Sequence, residues 1–225
     1  MSRQFLVAAA VLGSALITAG CQFVNDLTHP KPPDWQDVGV IQMKGRVVPS
    51  EIVLVKGRPA RLHVTAGMPG DGCTVQMDTL ELTRPVKQGE VTTVELTREQ
   101  VDKLNGRRLR CGPGGGEAAF RIINKGEPAP ATGSEVAVVM THELAAPKEV
   151  TLVKGVPVKL YVTKTASEEG FDKFTCDQLG IRMDVTDGEV STVELTPLQA
   201  GTYTFVGTVT PDSRVSIVVI DQPVP

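Results

Sequence analysis

Hydrophobic and polar residues alternate in short runs along most of the chain, as they do in β-strands with one buried face. In RLHVT (61–65), Leu62 and Val64 alternate with polar residues, and the segments TVELT at 93–97 and 192–196 repeat the alternation. Glycine and proline turn signals separate such runs roughly every 8–12 residues, a spacing typical of β-sandwiches. The pattern predicts an all-β protein, with His63 on the exposed face of its strand.

Two blocks of sequence occur twice, which indicates a duplicated module. EIVLVKGRPARLHVT (51–65) matches EVTLVKGVPVKLYVT (149–163) at nine of fifteen positions, and GEVTTVELT (89–97) matches GEVSTVELT (188–196) at eight of nine. Because both blocks are separated by almost the same number of residues, the repeat extends over a whole domain.

The duplication predicts two tandem domains, at 38–124 and 135–222. Residues 125–134 are rich in Pro, Ala, Gly and Ser and predict a linker with few contacts across it, so we expect residues 135–225 to fold alone. Domain 1 alone continues into REQVDKLNG (98–106), which predicts a short helical turn.

The first 21 residues predict a cleaved export signal. Arg3 precedes an apolar run that is too short to span a bilayer. The run ends Thr18-Ala19-Gly20-Cys21, which resembles the bacterial lipoprotein box; the resemblance implies that Cys21 is lipidated and becomes the mature N-terminus. The alternative is an ordinary signal peptide with an unrelated cysteine. Residues 22–37 predict a proline-rich tether.

The residue after Cys21 bears on location within the cell envelope. It is Gln22, and not the aspartate that favours inner-membrane retention in enteric lipoproteins. The sequence therefore predicts a lipid-anchored protein that faces the periplasm, at the outer membrane in an organism with two membranes.

Charge and composition exclude several functions. The net charge is −3 with both signs interspersed, so no basic surface for nucleic acid is expected, and aromatic residues make up only 4%. The histidines His29, His63 and His142 do not cluster, and no enzyme motif occurs. Acidic residues at turns are expected to be solvated; they are Asp71, Asp78, Asp172, Asp177 and Asp187. The sequence predicts a non-catalytic protein.

The repeated blocks, together with GTYTF (201–205) in domain 2, resemble the cupredoxin family. More narrowly, they are similar to the cupredoxin-like domains of bacterial periplasmic metal-handling proteins and iron-uptake lipoproteins. The resemblance covers both domains and implies two tandem Greek-key β-sandwiches. It also makes copper the metal to consider.

Cupredoxins place a copper-binding cysteine after the tyrosine-bearing strand, followed by a histidine and often a methionine. In domain 1, RLRCGPGGGE (108–117) provides Cys111, but glycine stands at the histidine position; in domain 2, Gly207 replaces the cysteine. Blue-copper electron transfer is therefore not expected. The glycine run lacks the lysine of a phosphate loop and leads into a strand, so it predicts a tight turn.

The resemblance places Cys73 and Cys111 at the same end of domain 1 and leaves two roles open for them. One is a soft-metal site for Cu(I), with Met68 or Met77 as further ligands. The other is a Cys73–Cys111 disulfide, which would stabilise the domain by roughly 4 kcal/mol. Cys176 is expected to be buried and inert.

Two functions follow as alternatives for this lipid-anchored, extracytoplasmic protein. The first is binding or handling of a soft metal through domain 1. The second is a metal-free envelope module that binds a partner protein, with degenerate copper sites and the Cys73–Cys111 disulfide.

Overall fold

A computed structural model describes residues 34–67, 72–112, 114, 116–127, 135–141, 144–165, 171–197, 199–208 and 213–221. Residues 35–225 form one compact unit. The predicted signal peptide, Cys21 and nearly all of the predicted tether lie outside the described residues. None of the helices described there is long and apolar enough to cross a membrane.

The described part of the first repeat consists mostly of strands. They are β1 (Gln36–Met43), β2 (Arg46–Val48), β3 (Glu51–Val55), β4 (Ala60–Ala66), β5 (Cys73–Met77), β6 (Leu82–Val86), β7 (Thr92–Leu96), β8 (Arg108–Gly112) and β9 (Glu117–Ile123). A 3-10 turn at Asp78–Leu80 follows β5.

The second repeat follows the same order. Its strands are β10 (Glu135–Met140), β11 (Ala145–Ala146), β12 (Glu149–Val153), β13 (Val158–Lys164), β14 (Phe171–Cys176), β15 (Ile181–Thr186), β16 (Val190–Leu195), β17 (Gly201–Gly207) and β18 (Arg214–Ile220). A 3-10 turn at Asp177–Leu179 follows β14, just as the first 3-10 turn follows β5.

Each repeat forms its own pair of sheets. In the first, the strand orders are β2-β1-β4-β7 and β3-β9-β8-β5-β6; in the second they are β11-β10-β13-β16 and β12-β18-β17-β14-β15. Among the described strands, no ladder joins one repeat to the other. This is the all-β architecture of two tandem sandwiches that the sequence predicts.

A hydrophobic core lies between the two sheets of each sandwich. In domain 1, Leu62 from one sheet and Leu109 and Phe120 from the other are buried together. In domain 2, the rings of Phe174 and Phe205 stack with their centroids 5.1 Å apart. Leu62 alternates with residues of the opposite face, as the sequence pattern predicts.

The predicted helical turn of domain 1 is confirmed as helix α1 (Arg98–Asp102). Thr97 caps its N-terminus: the Thr97 side chain accepts from the Gln100 N–H, and the Gln100 side chain accepts from the Thr97 N–H. This reciprocal capping box satisfies two backbone donors that a helix start leaves unpaired. Val101 anchors the short helix in the core.

A third apolar cluster joins the two sandwiches. Ile41 and Val48 of domain 1 pack against Ala137, Val139 and Tyr161 of domain 2, and all five are buried. The expectation of few contacts between the domains is therefore wrong. Residues 135–225 alone would expose the domain 2 side of this cluster to water.

The backbones of the two sandwiches are in contact at Gly39 of β1. A Cβ atom there would lie 2.5 Å from the Ala146 carbonyl oxygen and 2.6 Å from that of Ala137. At the rim of the interface, Arg46 donates to Glu135 at 2.8 Å and to the Tyr161 hydroxyl at 2.6 Å. Backbone contact and polar pairing thus fix the orientation of the domains.

This arrangement corrects the prediction that His63 is exposed. His63 is only 3% exposed, because domain 2 covers the outer face of the sheet on which it lies. Its Nε2 lies 3.0 Å from an Asp37 carboxylate oxygen, and its Nδ1 lies 3.2 Å from the Thr93 hydroxyl. The imidazole therefore has a structural hydrogen-bonding role between strands.

Candidate functional site: the thiol pair of domain 1

Cys111 lies near the end of β8, directly before the glycine-rich turn. Its N–H donates to the Gly116 carbonyl at 3.0 Å, which closes the turn onto β9. Gly114 and Gly116 have φ angles of 83° and 82°, in the left-handed region that glycine adopts without strain. At Gly116, a Cβ atom would also overlap the backbone of Arg46. The glycines therefore shape the turn and allow it to pack on β2.

Cys73 begins β5, the strand that pairs with β8. In the antiparallel register Val75 lies opposite Cys111, so Cys73 is the diagonal neighbour of Cys111. Cys73, Val75 and Cys111 all face the core, and the two cysteines are 8% and 2% exposed. Strand pairing therefore brings together two cysteines that are far apart in the sequence.

The two thiol groups are in hydrogen-bonding contact. This hydrogen bond from Cys73, together with burial, raises the pKa of Cys111 above its usual value. All three described cysteines are free thiols, so the Cys73–Cys111 disulfide of the alternative prediction is not formed in this structure. The pair is instead two buried, free thiols in contact.

The two methionines predicted as further ligands have different outcomes. Met77 is 1% exposed and belongs to the core of domain 1. It lies on the same face of β5 as Cys73 but four residues further on, about 13 Å along the strand. Met68 lies outside the described residues.

The donor set available here suits a soft monovalent metal. Two adjacent cysteine sulfurs are the ligand type that Cu(I) prefers, whereas a blue-copper site needs two histidines with one cysteine. The described residues contain no group of three or more His, Cys, Asp or Glu side chains that could hold a metal. His63 is held by Asp37 and Thr93 on the far face of the sheet. The pair fits Cu(I) and does not fit blue copper.

The corresponding place in domain 2 carries different chemistry. The 3-10 turns at Asp78–Leu80 and Asp177–Leu179 align the two repeats, which sets Asp172 at the position of Cys73. Phe174, equivalent to Val75, lies opposite Gly207, which therefore stands at the position of Cys111. No thiol occupies either position.

Asp172 is completely buried, which corrects the prediction that it is solvated. One carboxylate oxygen accepts from the Lys173 N–H at 2.6 Å and from the N–H and hydroxyl of Thr208, at 2.9 and 3.2 Å. The carboxylate thus links β14 to β17. The repeat itself carries the signal that sequence reasoning missed, because it aligns Asp172 with a buried residue.

Asp187 is also less exposed than predicted. Its carboxylate lies 3.4 Å from the ammonium of Lys164, and the two side chains are 15% and 1% exposed. By contrast, Asp78 and Asp177 are exposed, as predicted, and their ion pairs lie at the surface. Asp71 and His142 lie outside the described residues.

Cys176 is buried at the end of β14, as predicted, and it is 1% exposed. Burial raises its pKa, so this thiol is also held in the protonated form. It belongs to the core cluster of domain 2, and neither Cys73 nor Cys111 belongs to that cluster. Cys176 therefore serves as a natural control for experiments on the thiol pair.

Comparisons with known proteins agree with this fold. Residues 118–219 match the cupredoxin-like domain family. No curated protein sequence matches the chain.

Solved structures similar to this chain include copper proteins. An apo copper-binding protein is 22% identical, with a TM-score of 0.34, over 38% of this chain and 85% of that one. The metal-binding domain of the Cu(I)-exporting P-type ATPase CopA of Streptococcus pneumoniae is 17% identical, with a TM-score of 0.36, over 40% and 88%. A multicopper oxidase is 11% identical, with a TM-score of 0.33, over 85% and 91%.

Proposed function

We propose that this protein binds copper as Cu(I) through the Cys73–Cys111 pair of domain 1, although the match to the cupredoxin-like domain family, over residues 118–219, begins after both cysteines. We propose further that it acts by binding and not by catalysis. The observation that carries the proposal is the contact between two buried thiols on neighbouring strands. Domain 2, with Asp172 and Gly207 at the matching positions, is structural.

The two sulfurs would hold the ion as thiolates, so binding releases protons. A bound Cu(I) would provide a soft cation that compensates one of the two negative charges in a buried place. The apolar surroundings exclude water and therefore disfavour hard ions. The low exposure of both sulfurs also protects the thiols from large oxidants.

An exported, lipid-anchored location is part of the same proposal. Lipidation at Cys21 would attach the chain to a membrane of the cell envelope, and the tether would hold both domains on the periplasmic side. Outer-membrane attachment is proposed for an organism with two membranes, from the Gln22 that follows the cysteine.

The second candidate function is a metal-free envelope module that binds a partner protein. The same proximity of Cys73 and Cys111 supports it, because an oxidising compartment can join adjacent thiols as a structural disulfide. The buried apolar contact between the domains also supports it, since it joins the two sandwiches into one surface.

Cu(I) titration of the reduced protein under anaerobic conditions tests the first function. In competition with a colorimetric Cu(I) chelator, the unmodified chain should bind one Cu(I). Cys111→Ser should weaken binding by more than about 100-fold, because it removes a ligand, and losing even a supporting partner costs 10–100-fold. Cys176→Ser should bind as the unmodified chain does.

Two results would contradict the copper proposal. One is a reduced protein that competes for no Cu(I). The other is an equal loss in Cys111→Ser and Cys176→Ser. Mass-spectrometric thiol counting on natively exported protein separates the second function: a Cys73–Cys111 disulfide in all molecules, with no metal gained on reduction, supports the metal-free module.

The proposed anchor has its own test. Cys21→Ser should remove the lipidation site, so the protein should accumulate as an unprocessed or soluble form while the unmodified chain partitions with membranes. Fractionation and intact-mass measurement of both forms provide the result. Unchanged membrane attachment of the Cys21→Ser protein would rule out the lipoprotein assignment.

A further inference from the structure

A groove of about 430 Å³ runs between the two sandwiches. Its walls are β3 of domain 1 and β12 of domain 2, and its floor is formed by the starts of β1 and β10. Trp35 stands at one side, with the Arg61 guanidinium 4.5 Å from the centre of its ring.

Both walls are edge strands with a free side. Among the strands that the structure describes, β3 pairs only with β9, and β12 pairs only with β18, each in a parallel ladder. On β3, the Ser50 carbonyl and the Lys56 N–H bond to β9. In a parallel ladder the bonded residues alternate, so Ile52 and Leu54 also bond to β9. The backbone groups of Glu51 and Val53 therefore point into the groove.

Backbone hydrogen bonding alternates in the same way along β12. The Lys148 carbonyl and the Lys154 N–H bond to β18, so the backbone groups of Glu149 and Thr151 point away from that strand and towards the groove. Two rows of backbone donors and acceptors thus face the same space. Such rows are the chemistry by which an exposed sheet edge takes up an extended peptide.

An amide group already occupies one end of the β3 edge. The Gln36 side chain donates to the Val55 carbonyl at 3.0 Å and accepts from the Val55 N–H at 2.6 Å. This two-bond pairing reproduces what a peptide unit of an added strand would form. It shows that the geometry of this edge accepts an amide partner. The backbone N–H and carbonyl of Val53, the next groove-facing residue, are left for a further strand.

The charges lining the groove indicate the sign of its partner. Four carboxylates line it, those of Asp37, Glu51, Glu135 and Glu149, against the two cations Arg58 and Lys148. Asp37 and Glu135 pair with His63 and Arg46. Glu51 and Glu149 form no ion pair among the described residues, and they begin the two edge strands at equivalent places in the repeat.

We propose that this groove binds an extended segment of a partner protein that carries basic side chains. The segment adds as a strand to β3 through the backbone of Val53 and reaches Thr151 of β12 on the opposite wall. Its basic side chains lie beside Glu51 and Glu149. The proposal goes beyond metal binding and does not depend on it, because the groove uses neither cysteine.

The probe is a capped peptide of about seven residues, with alternating valine and threonine and a lysine at each end. NMR titration of the full chain with this peptide should shift the amide resonances of Glu51, Val53 and Thr151 in a saturable way. A matched peptide, N-methylated at every internal amide, cannot donate backbone hydrogen bonds from either of its edges. It should bind roughly tenfold or more weakly, since each lost hydrogen bond is worth about 1 kcal/mol.

Val53→Pro tests the same edge from the protein side. Proline removes the groove-facing N–H and leaves the ladder to β9 intact, because Ile52 and Leu54 form that ladder. The variant should weaken binding roughly tenfold, whereas Val53→Ala, which keeps the N–H, should bind nearly as the unmodified chain does. Glu51→Gln combined with Glu149→Gln should weaken the lysine-flanked peptide and leave a glutamine-flanked one unchanged.

Three results would overturn the proposal. The first is no saturable shift at millimolar peptide. The second is equal binding of the N-methylated peptide, a comparison that needs no protein variant and so stands even where Val53→Pro does not fold. The third is dimerisation without peptide that Val53→Pro abolishes, which would make a second copy of this chain the occupant.

Discussion

Raising the pH above about 9 is expected to destabilise the reduced, metal-free protein, and more steeply than in a Cys111→Ser variant. The pKa of Cys111 is raised from its usual 9.0 by the hydrogen bond with Cys73 and by burial. Above that pH, the unfolded chain loses the Cys111 proton while the folded chain keeps it. Because the folded state then binds more protons, stability falls as the pH rises.

The slope follows from the linkage relation. One retained proton lowers the free energy of unfolding by about 1.4 kcal/mol per pH unit above 9, and by nothing below it. Urea unfolding near pH 8, 9 and 10 measures this for both proteins. All residues other than 111 are the same in both proteins, so contributions from groups remote from Cys111 cancel in the difference. Parallel pH profiles would show that Cys111 is not held in the protonated form.

The alternation of polar and apolar residues predicts one face of each strand correctly and misleads about the other. Leu62 and Val64 lie in the core as predicted, but His63 is buried as well. Alternation identifies the side that faces the strand's own sandwich. The alternation does not indicate whether a second domain covers the opposite side of the sheet.

A different signal for that covering is present in the sequence. The strands β1 and β10 contain the runs VGVI (38–41) and VAVV (136–139), which are apolar at consecutive positions. Consecutive apolar residues are typical of strands buried on both faces. By this criterion, Ile41 and Val139 indicate an interface between the repeats from the amino-acid sequence alone.

The thiol pair depends on topology and cannot be deduced from spacing. Cys73 and Cys111 meet because β5 and β8 are neighbours in the sheet, although β6, β7 and α1 separate them along the chain. Resemblance to the cupredoxin family is the only route from the sequence to placing both at one end of the domain. The thiol contact, by contrast, needs the register that sets Val75 opposite Cys111.

Local sequence suffices where the interactions are local. Thr97 and Gln100 are three residues apart and cap α1 with each other, so REQVDKLNG can be identified as helical without tertiary information. The glycines before Glu117 can likewise be identified as a turn. The contact of Gly116 with the backbone of Arg46 cannot be identified in this way, because it joins residues that are distant in sequence.

Gly39→Ala is expected to lower the free energy of unfolding by about 3 kcal/mol, near the upper end of what overpacking costs. The added methyl would lie 2.5 and 2.6 Å from the carbonyl oxygens of Ala146 and Ala137. Both are backbone atoms of short paired segments, so they cannot move aside as a flexible side chain can. The sandwiches must separate locally, which disrupts the packing of Ile41 against Val139 in the shared cluster.

Gly112→Ala provides the matched control, because it makes the same change in a strand of the same domain. A Cβ atom at Gly112 would meet nothing nearer than the Gln76 side-chain oxygen at 3.7 Å, an ordinary contact. With no overlap, alanine should be neutral or stabilise by about 0.5 kcal/mol, through the lower entropy of the unfolded chain. Urea unfolding should therefore show a clear loss of stability for Gly39→Ala and none for Gly112→Ala. Equal effects would mean that Gly39 does not lie against the backbone of domain 2, and the face-to-face packing of the repeats would have to be abandoned.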